Sequence, residues 1–280
     1  MQISFLGPRG SFSEQAARVA AQTLRMESPV FVPYQTLEDT MSSVGQNDAV
    51  YAVVPLENSI EGVVNATLDR LIFDTDLFIQ AQLNLPIVQN LLVKPEDVDC
   101  PCITQVLSHP QALAQGRRFI RGMYPDALFV PTQSTSEAAC LVAESGGDAH
   151  WAAVGSALAA ELYGLAVLHA GIQENEQNVT QFALVSQTAA EPQAGYKMSL
   201  VFSTENKPGG LYKVLDIFAL WDLNMTRIVS RPMKATPGAY VFFVDVEGTE
   251  RTADLADALT MVRRKTSFFK LLGSYPVWQG

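Results

Sequence analysis

The feature that most constrains this chain is an alternation of short apolar runs with amphipathic segments over residues 3–185. The apolar runs predict strands at residues 3–6, 30–33, 51–55, 106–108, 128–130, 151–154 and 166–168. The amphipathic segments predict helices at residues 13–22, 36–44, 63–73, 111–121, 134–144 and 156–163. This order favours βα units around mainly parallel sheets, which bind ligands where the carboxyl ends of strands lead into helix N-termini.

The alternation stops at residues 188–195, which lack periodicity and contain Pro192 and Gly195, as a linker does. The net charge also changes there, from −12 for residues 1–188 to +2 for the remainder. The remainder reads as strand, helix, two strands with a turn at 236–238, helix and strand, which is the order of a ferredoxin-like module. We therefore predict two separate folding units, an α/β domain over residues 1–188 and a βαββαβ module over residues 196–280.

Composition argues against several classes of function. The net charge of −10 leaves no general basic face for nucleic acid, and no apolar stretch approaches the roughly 18 residues of a membrane span. The N-terminus lacks the pattern of a signal peptide, and three cysteines are too few for a disulfide framework. We therefore expect a cytoplasmic protein without nucleic-acid or membrane partners.

The cysteines also give no sign of a metal site. Cys100 and Cys102 flank Pro101, a spacing unlike that of CxxC metal ligands, and no histidine cluster completes a set. No phosphate-binding glycine motif is present either. We expect neither a metal nor a cofactor.

Polar residues gather at five junctions next to predicted strands, at residues 7–14, 55–62, 108–112, 132–135 and 178–182. Each junction alone is also explained by a helix cap or a turn, and a cap is the favoured reading of Ser11 with Glu14. Together they predict a cleft lined by hydrogen-bond donors rather than by cations. Helix N-termini and amides would hold an anionic ligand there.

Several of these segments together form a specific pattern. The segments are Gly7-Pro8-Arg9-Gly10-Ser11-Phe12-Ser13, Pro55-Leu56-Glu57-Asn58-Ser59-Ile60-Glu61-Gly62, Ser108-His109-Pro110-Gln111-Ala112-Leu113-Ala114-Gln115, residues 159–165 and Asn178-x-Thr180-x-Phe182. In this order they resemble the signature of the prephenate dehydratases. The C-terminal module resembles the ACT regulatory domain of the same family. The resemblance covers essentially the whole chain and, without a chorismate mutase bundle, implies the monofunctional form.

The resemblance implies a fold and a reaction. Two α/β lobes, like those of type II periplasmic binding proteins, would enclose the cleft, with lobe one at about 1–76 and 170–188 and lobe two at about 77–169. The implied reaction converts prephenate into phenylpyruvate, carbon dioxide and water. A homodimer or homotetramer, with phenylalanine as an effector bound at the ACT domains, is also implied.

The resemblance further implies roles for individual residues. Thr180 corresponds to the catalytic hydroxyl, which would hydrogen-bond the departing ring oxygen. The implied substrate-binding residues are Ser11, Asn58, Ser59, Ser108, His109, Gln111, Asn178, Gln181 and Phe182. The implied effector residues are Gly209, Gly210, Leu211, Ser230, Arg231 and Pro232. Because formation of the aromatic ring drives the reaction, hydroxyl and amide groups suffice without a metal or a strong acid.

Three positions depart from the family pattern. Gln181 stands where Arg is usual, Gln89 where His is usual and Val229 where Glu is usual. The first two remove positive or proton-donating groups, and Val229 bears on inhibition by phenylalanine. Two alternatives therefore stay open, a decarboxylase that does not aromatise prephenate and a non-catalytic protein that binds prephenate or phenylalanine. The choice between prephenate and arogenate is also open.

Overall fold

The computed structural model describes residues 1–99, 102–193, 195–233 and 238–280. Its strands are β1 (Gln2–Leu6), β2 (Val30–Tyr34), β3 (Tyr51–Asn58), β4 (Gly62–Val63), β5 (Phe78–Pro86), β6 (Asn90–Val93), β7 (Gln105–Ser108), β8 (Leu128–Pro131), β9 (Trp151–Gly155), β10 (Ala166–His169), β11 (Val179–Ser186), β12 (Lys197–Ser203), β13 (Met225–Pro232), β14 (Tyr240–Glu247), β15 (Phe268–Tyr275) and β16 (Val277–Gln279). Its α-helices are α1 (Phe12–Thr23), α2 (Leu37–Gly45), α3 (Asn65–Asp69), α4 (Pro110–Gln115), α5 (Arg117–Met123), α6 (Thr135–Glu144), α7 (Ala157–Tyr163), α8 (Gly210–Leu220) and α9 (Ala253–Lys265). Cys100, Pro101 and most of the predicted turn at 236–238 lie outside the described residues. No helix in the described ranges is long and apolar enough to cross a membrane.

Two mixed sheets form two lobes, where the sequence predicted mainly parallel ones. The first sheet has the order β16-β5-β11-β3-β1-β2, and the second has the order β10-β6-β9-β7-β8. Among the described residues, parallel pairing is limited to β1 with β2 and β3, β7 with β8 and β9, and β16 with β5. The antiparallel strands β5 and β6 were not predicted, because the alternation of polar and apolar residues in β5 was not recognised and β6 is short.

The chain crosses between the lobes twice, after β5 and before β11. Strand β5 pairs with β11 in the first sheet, so the first lobe extends to Pro86 rather than to residue 76 as predicted. The lobes also touch at the loop before α1, where Ser136 donates to the carbonyl of Arg9 and Ser156 Oγ donates to that of Gly10 at 2.8 Å. Gly10 has φ of +79°, and a Cβ there would lie 2.8 Å from Ser136 Oγ, so the approach of the second lobe requires glycine.

The C-terminal module is an antiparallel sheet of order β13-β14-β12-β15, with α8 and α9 packed on one face. This is the strand order of the βαββαβ ferredoxin-like fold. The predicted fold class, two α/β lobes followed by this module, is confirmed.

The other face of the module's sheet packs on the first lobe. One hydrophobic cluster joins Leu56, Leu71 and Ile79 of the lobe to Phe243 and Leu272 of the module, and all five side chains are fully buried. Strand β16 then joins the sheet of the first lobe beside β5. The two predicted units therefore share an apolar interface, and the sheet of the module would expose an apolar face without the lobe.

We predict that Phe243→Ala destabilises the lobe and the module together. Removing a fully buried aromatic ring from the shared cluster should lower the free energy of unfolding by about 3–5 kcal/mol, measured by urea denaturation. The matched control is Leu128→Ala, whose side chain is 64% exposed and whose effect should stay within about 0.5 kcal/mol. Two separate transitions, of which only one shifts, would contradict the shared core.

Candidate active site

A cavity of about 450 Å³ lies between the lobes, at the carboxyl ends of β1, β3 and β7. Both lobes and both crossing segments contribute to it. Its polar lining consists of Ser11, Ser13, Asn58, Glu61, Gln89, His109, Gln111, Gln115, Gln133, Ser134, Thr135, Asn178 and Thr180. Among the described residues that line it, there is neither lysine nor arginine. Glu61 is the one acidic residue of this described lining, and the other polar groups are hydroxyls, amides and an imidazole.

The centre of the cleft is a pair of side chains on neighbouring strands. Thr180 on β11 pairs with Asn58 on β3, and the Asn58 Nδ2 atom donates to Thr180 Oγ1 and to Asn178 Oδ1, both at 2.8 Å. The orientation of the Asn58 amide is fixed because its Oδ1 accepts from the backbone N–H groups of Ile60 and Glu61. Since Asn58 donates to the threonine oxygen, the hydroxyl proton of Thr180 is available to a ligand.

Two longer helices begin at the cleft, one from each lobe. Ser11 caps α1 by accepting from the N–H of Glu14 at 3.3 Å, and Ser134 caps α6 by accepting from the N–H of Glu137 at 3.0 Å. Helix N-termini carry positive potential and N–H donors, which favour anions. The Ser11 hydroxyl also donates to the carbonyl of Leu6, so the cap that the sequence favoured is its observed role.

His109 and the glutamines of α4 form the wall of the second lobe. The Nδ1 atom of His109 accepts from the N–H of Gln111 at 3.4 Å, which assigns the proton of the neutral ring to Nε2. Gln115 Oε1 accepts from Asn178 Nδ2 at 3.2 Å and so connects this wall to the Asn58 network. His109 and Gln111 therefore lie where the sequence placed them, on the cleft.

Three predicted substrate-binding residues lie outside the lining of the cleft. Ser59 joins the ends of β3 and β11 by accepting from the N–H of Val179 and donating to Gln177. The buried Ser108 hydroxyl donates to the carbonyl of Val154 at 2.6 Å. Phe182 is buried in the core beneath α1. The hydroxyls of Ser59 and Ser108 are thus engaged with the backbone, and direct substrate contacts of these three residues stay a prediction.

Gln181 also lies outside the lining. Successive side chains of a strand point to opposite faces of the sheet, so Thr180 faces the cleft and Gln181 faces the C-terminal module. There the Gln181 side chain accepts from Arg227 of β13. The expectation that Gln181 contacts the substrate did not take this alternation into account.

The cleft also contains polar groups to which the sequence assigned no binding role. Gln89 is only 4% exposed, and its Oε1 atom has no hydrogen-bond partner among the described residues. Ser134 and Thr135 were noted only as a helix start. For Gln89, the only indication in the sequence of a place in the cleft was its departure from the family pattern.

These features define a class of protein, a two-lobed α/β ligand-binding domain with a ferredoxin-like module docked on its first lobe. Comparison with known families is more specific. The prephenate dehydratase family matches residues 3–190, and the ACT domain family matches residues 198–260. The chain belongs to the prephenate dehydratase family, as the sequence predicted.

Individual relatives are similar to this chain in sequence or structure over nearly its whole length. The prephenate dehydratase of Methanocaldococcus jannaschii is 38% identical, over 97% of this chain and 96% of its own. The structure of the Arthrobacter aurescens prephenate dehydratase in complex with L-Phe has a TM-score of 0.87 at 33% identity, covering 99% of this chain and 90% of its own. A solved protein described as a novel type of quorum quenching acylase has a TM-score of 0.88 at 32% identity, covering 99% of this chain and 98% of its own.

We predict that Asn58→Ala destabilises the protein, because it removes the part-buried hydrogen bonds of the Asn58 amide to Thr180 and Asn178 together with those from Ile60 and Glu61. The free energy of unfolding should fall by about 1–3 kcal/mol, measured by urea denaturation. The control is Asn206→Ala at an exposed position of the module, where we expect a change within about 0.5 kcal/mol. Equal effects of the two variants would contradict the network described for Asn58.

Proposed function

We propose that this protein is a prephenate dehydratase, a lyase that converts prephenate into phenylpyruvate, carbon dioxide and water. One observation carries the proposal. Thr180 accepts a hydrogen bond from Asn58 and therefore presents its hydroxyl proton to the cleft. Family membership supplies the substrate class, and the cleft supplies groups that suit it.

Prephenate is a dianion, and the N-termini of α1 and α6 offer positive potential to its carboxylates from opposite lobes. In the reaction the carbon–carbon bond to the ring carboxylate breaks, and its electron pair enters the ring as the carbon–oxygen bond to the ring hydroxyl breaks. Carbon dioxide leaves, and the departing hydroxide takes up a proton and becomes water. The Thr180 hydroxyl donates a hydrogen bond to the oxygen on which negative charge develops, which lowers the barrier.

The lack of lysine and arginine in the described lining does not weaken this proposal. Gln181 faces the module. The replacement of the usual arginine by glutamine at this position therefore does not change the lining of the cleft. Gln89 lies on the cleft and, as a neutral amide, supplies hydrogen bonds without charge. The retained hydroxyl of Thr180 favours loss of the ring oxygen over decarboxylation without aromatisation, and over ligand binding without turnover.

The cleft also favours a lyase over an acylase. An acyl-transfer enzyme needs a nucleophile activated by an adjacent base. The hydroxyls of Ser11 and Ser134 are instead engaged with the backbone as helix caps, and the Nδ1 atom of His109 accepts from the backbone N–H of Gln111.

We further propose that L-phenylalanine regulates the enzyme through the C-terminal module. Gly209, at φ of +75°, precedes α8 and leads with Gly210 into Leu211, while Ser230 and Pro232 are exposed on β13. Arg231 turns to the first lobe, where its guanidinium binds both carboxylate oxygens of Asp69 at 2.7 and 2.8 Å. This hydrogen bonding raises the pKa of Arg231. Because the guanidinium is occupied by Asp69, we expect Arg231 to contact the effector through its backbone only.

Two finer features belong to the same proposal. Tyr212, Leu220 and Ile228 are exposed apolar side chains on α8 and β13, which fits a homodimer or homotetramer joined through the modules. A cytoplasmic location is proposed from the low cysteine content, as three cysteines suit a reducing compartment.

We predict that Thr180→Val lowers kcat by about ten- to thousandfold, because it removes one donor to the leaving oxygen while keeping the shape of the side chain. KM should change much less, since the donor acts mainly in the transition state. Thr180→Ser keeps the hydroxyl and should retain most of the activity. Thr260→Val, on the exposed face of α9, is the matched control and should have the kcat of the unaltered protein.

The assay follows prephenate and its products by chromatography. Phenylpyruvate with equimolar carbon dioxide supports the proposal, and a lower rate with added L-phenylalanine supports regulation. Formation of a non-aromatic hydroxy acid, or binding of prephenate without consumption, would refute the dehydratase assignment. An unchanged kcat in folded Thr180→Val would refute the role of Thr180.

A further inference from the structure

We infer that Arg227, a residue of the C-terminal module, is a positioning residue for the catalytic strand pair. The kinetic test of this inference rests on the proposed dehydratase function, whereas a second test, by amide hydrogen exchange, does not. Arg227 lies on β13, which contributes no residue to the lining of the cleft. Its influence on the reaction would therefore pass through the residues that it binds.

The Arg227 guanidinium binds one residue from each of the two central strands of the first lobe. Its Nη2 atom lies 2.6 Å from Glu57 Oε2 on β3 and also donates to the side chain of Gln181 on β11. The side chain of Arg227 is only 11% exposed. A planar guanidinium fits such a double contact because its N–H groups form a rigid fork.

The two residues that Arg227 binds are themselves paired across the strands. Gln181 lies opposite Glu57, and the next pair along the ladder is Thr180 with Asn58. The alternation of side chains directs the first pair to the module and the second pair to the cleft. One residue of the module thus holds together the backbone segments that orient the catalytic hydroxyl and its amide partner.

The surroundings of Arg227 make this contact costly to lose. Asp245 is fully buried, lies 3.7 Å from Arg227 Nη1 and also binds Lys197 Nζ at 2.8 Å. Without Arg227, the carboxylate of Glu57 would lose this cation and that of Asp245 would keep Lys197 alone, and partly buried charges are unfavourable when unpaired. The ladder also shifts register between Gln181 and Phe182, so the backbone pairing is locally disrupted next to this contact.

The alternative is that Arg227 only stabilises the interface between the module and the first lobe, as other cationic side chains do. Lys270 of β15 makes such an interface contact. Its Nζ atom donates to the carbonyl of Leu71 at 2.8 Å, and its side chain is 19% exposed. It does not contact β3 or β11 through these bonds. Lys270→Met therefore removes a comparable contact between module and lobe without touching the catalytic pair.

The test compares Arg227→Met, Arg227→Lys and Lys270→Met in the full-length protein. We expect Arg227→Met to lower kcat about ten- to hundredfold with a much smaller change in KM, because small displacements of catalytic groups have effects of this size. Arg227→Lys keeps the charge but not the fork and should recover part of the loss. Lys270→Met should lower the unfolding midpoint but leave kcat within about twofold.

A second readout is independent of turnover. Amide hydrogen exchange of residues 57–60 and 178–181 should speed up in Arg227→Met and stay unchanged in Lys270→Met. If all folded variants keep the kcat and the exchange rates of the unaltered protein, the inference is overturned. If Arg227→Met does not fold, Arg227→Lys and Glu57→Gln give the same comparison. Absence of phenylpyruvate formation by the unaltered protein would refute the proposed function and leave the exchange test of Arg227 to decide.

Discussion

The antiparallel pairing of β3 with β11 is the constraint on which the candidate site depends. It brings together residues about 120 positions apart in the chain, such as Asn58 and Asn178. Because side chains alternate along each strand, this one ladder presents Asn58 and Thr180 to the cleft and Glu57 and Gln181 to the module. The proposed catalytic pair and the contacts with the module therefore lie on opposite faces of the same two strands. A change in register by one residue would exchange the two faces and abolish both arrangements.

The cleft must bind an anion without cationic side chains in its described lining. The first 188 residues carry a net charge of −12, yet the proposed substrate is a dianion. Positive potential comes from the N-termini of α1 and α6 and from amide donors, since the described lining has neither lysine nor arginine. Such groups bind anions at a fixed distance and direction. They also stabilise charge that develops on a leaving oxygen without supplying a strong acid.

Local patterns allowed part of this structure to be predicted from the sequence. The caps at Ser11 and Ser134 are local signals, and the polar junctions placed Asn58, His109 and Thr180 at the ends of strands before any fold was known. The position of Gln181 was not predicted, because its side chain points to the face opposite Thr180, and Phe182 shares the face of Thr180 but lies further along the strand, in the core under α1. Strand β5 alternates polar and apolar residues, yet it was not recognised. Arg227 carried no sequence signal, since its partners lie about 46 and 170 positions away, and only the docking of the module brings them together.

The most direct measurement of the central claim is a crystal structure of the protein with a stable cyclohexadienol or cyclohexanol analogue of prephenate. The account predicts that the ring oxygen of the analogue lies about 2.6–3.2 Å from Thr180 Oγ1, with the carboxylates directed to the N-termini of α1 and α6. An analogue bound in the cleft with its ring oxygen out of reach of Thr180, or bound elsewhere on the protein, would contradict it.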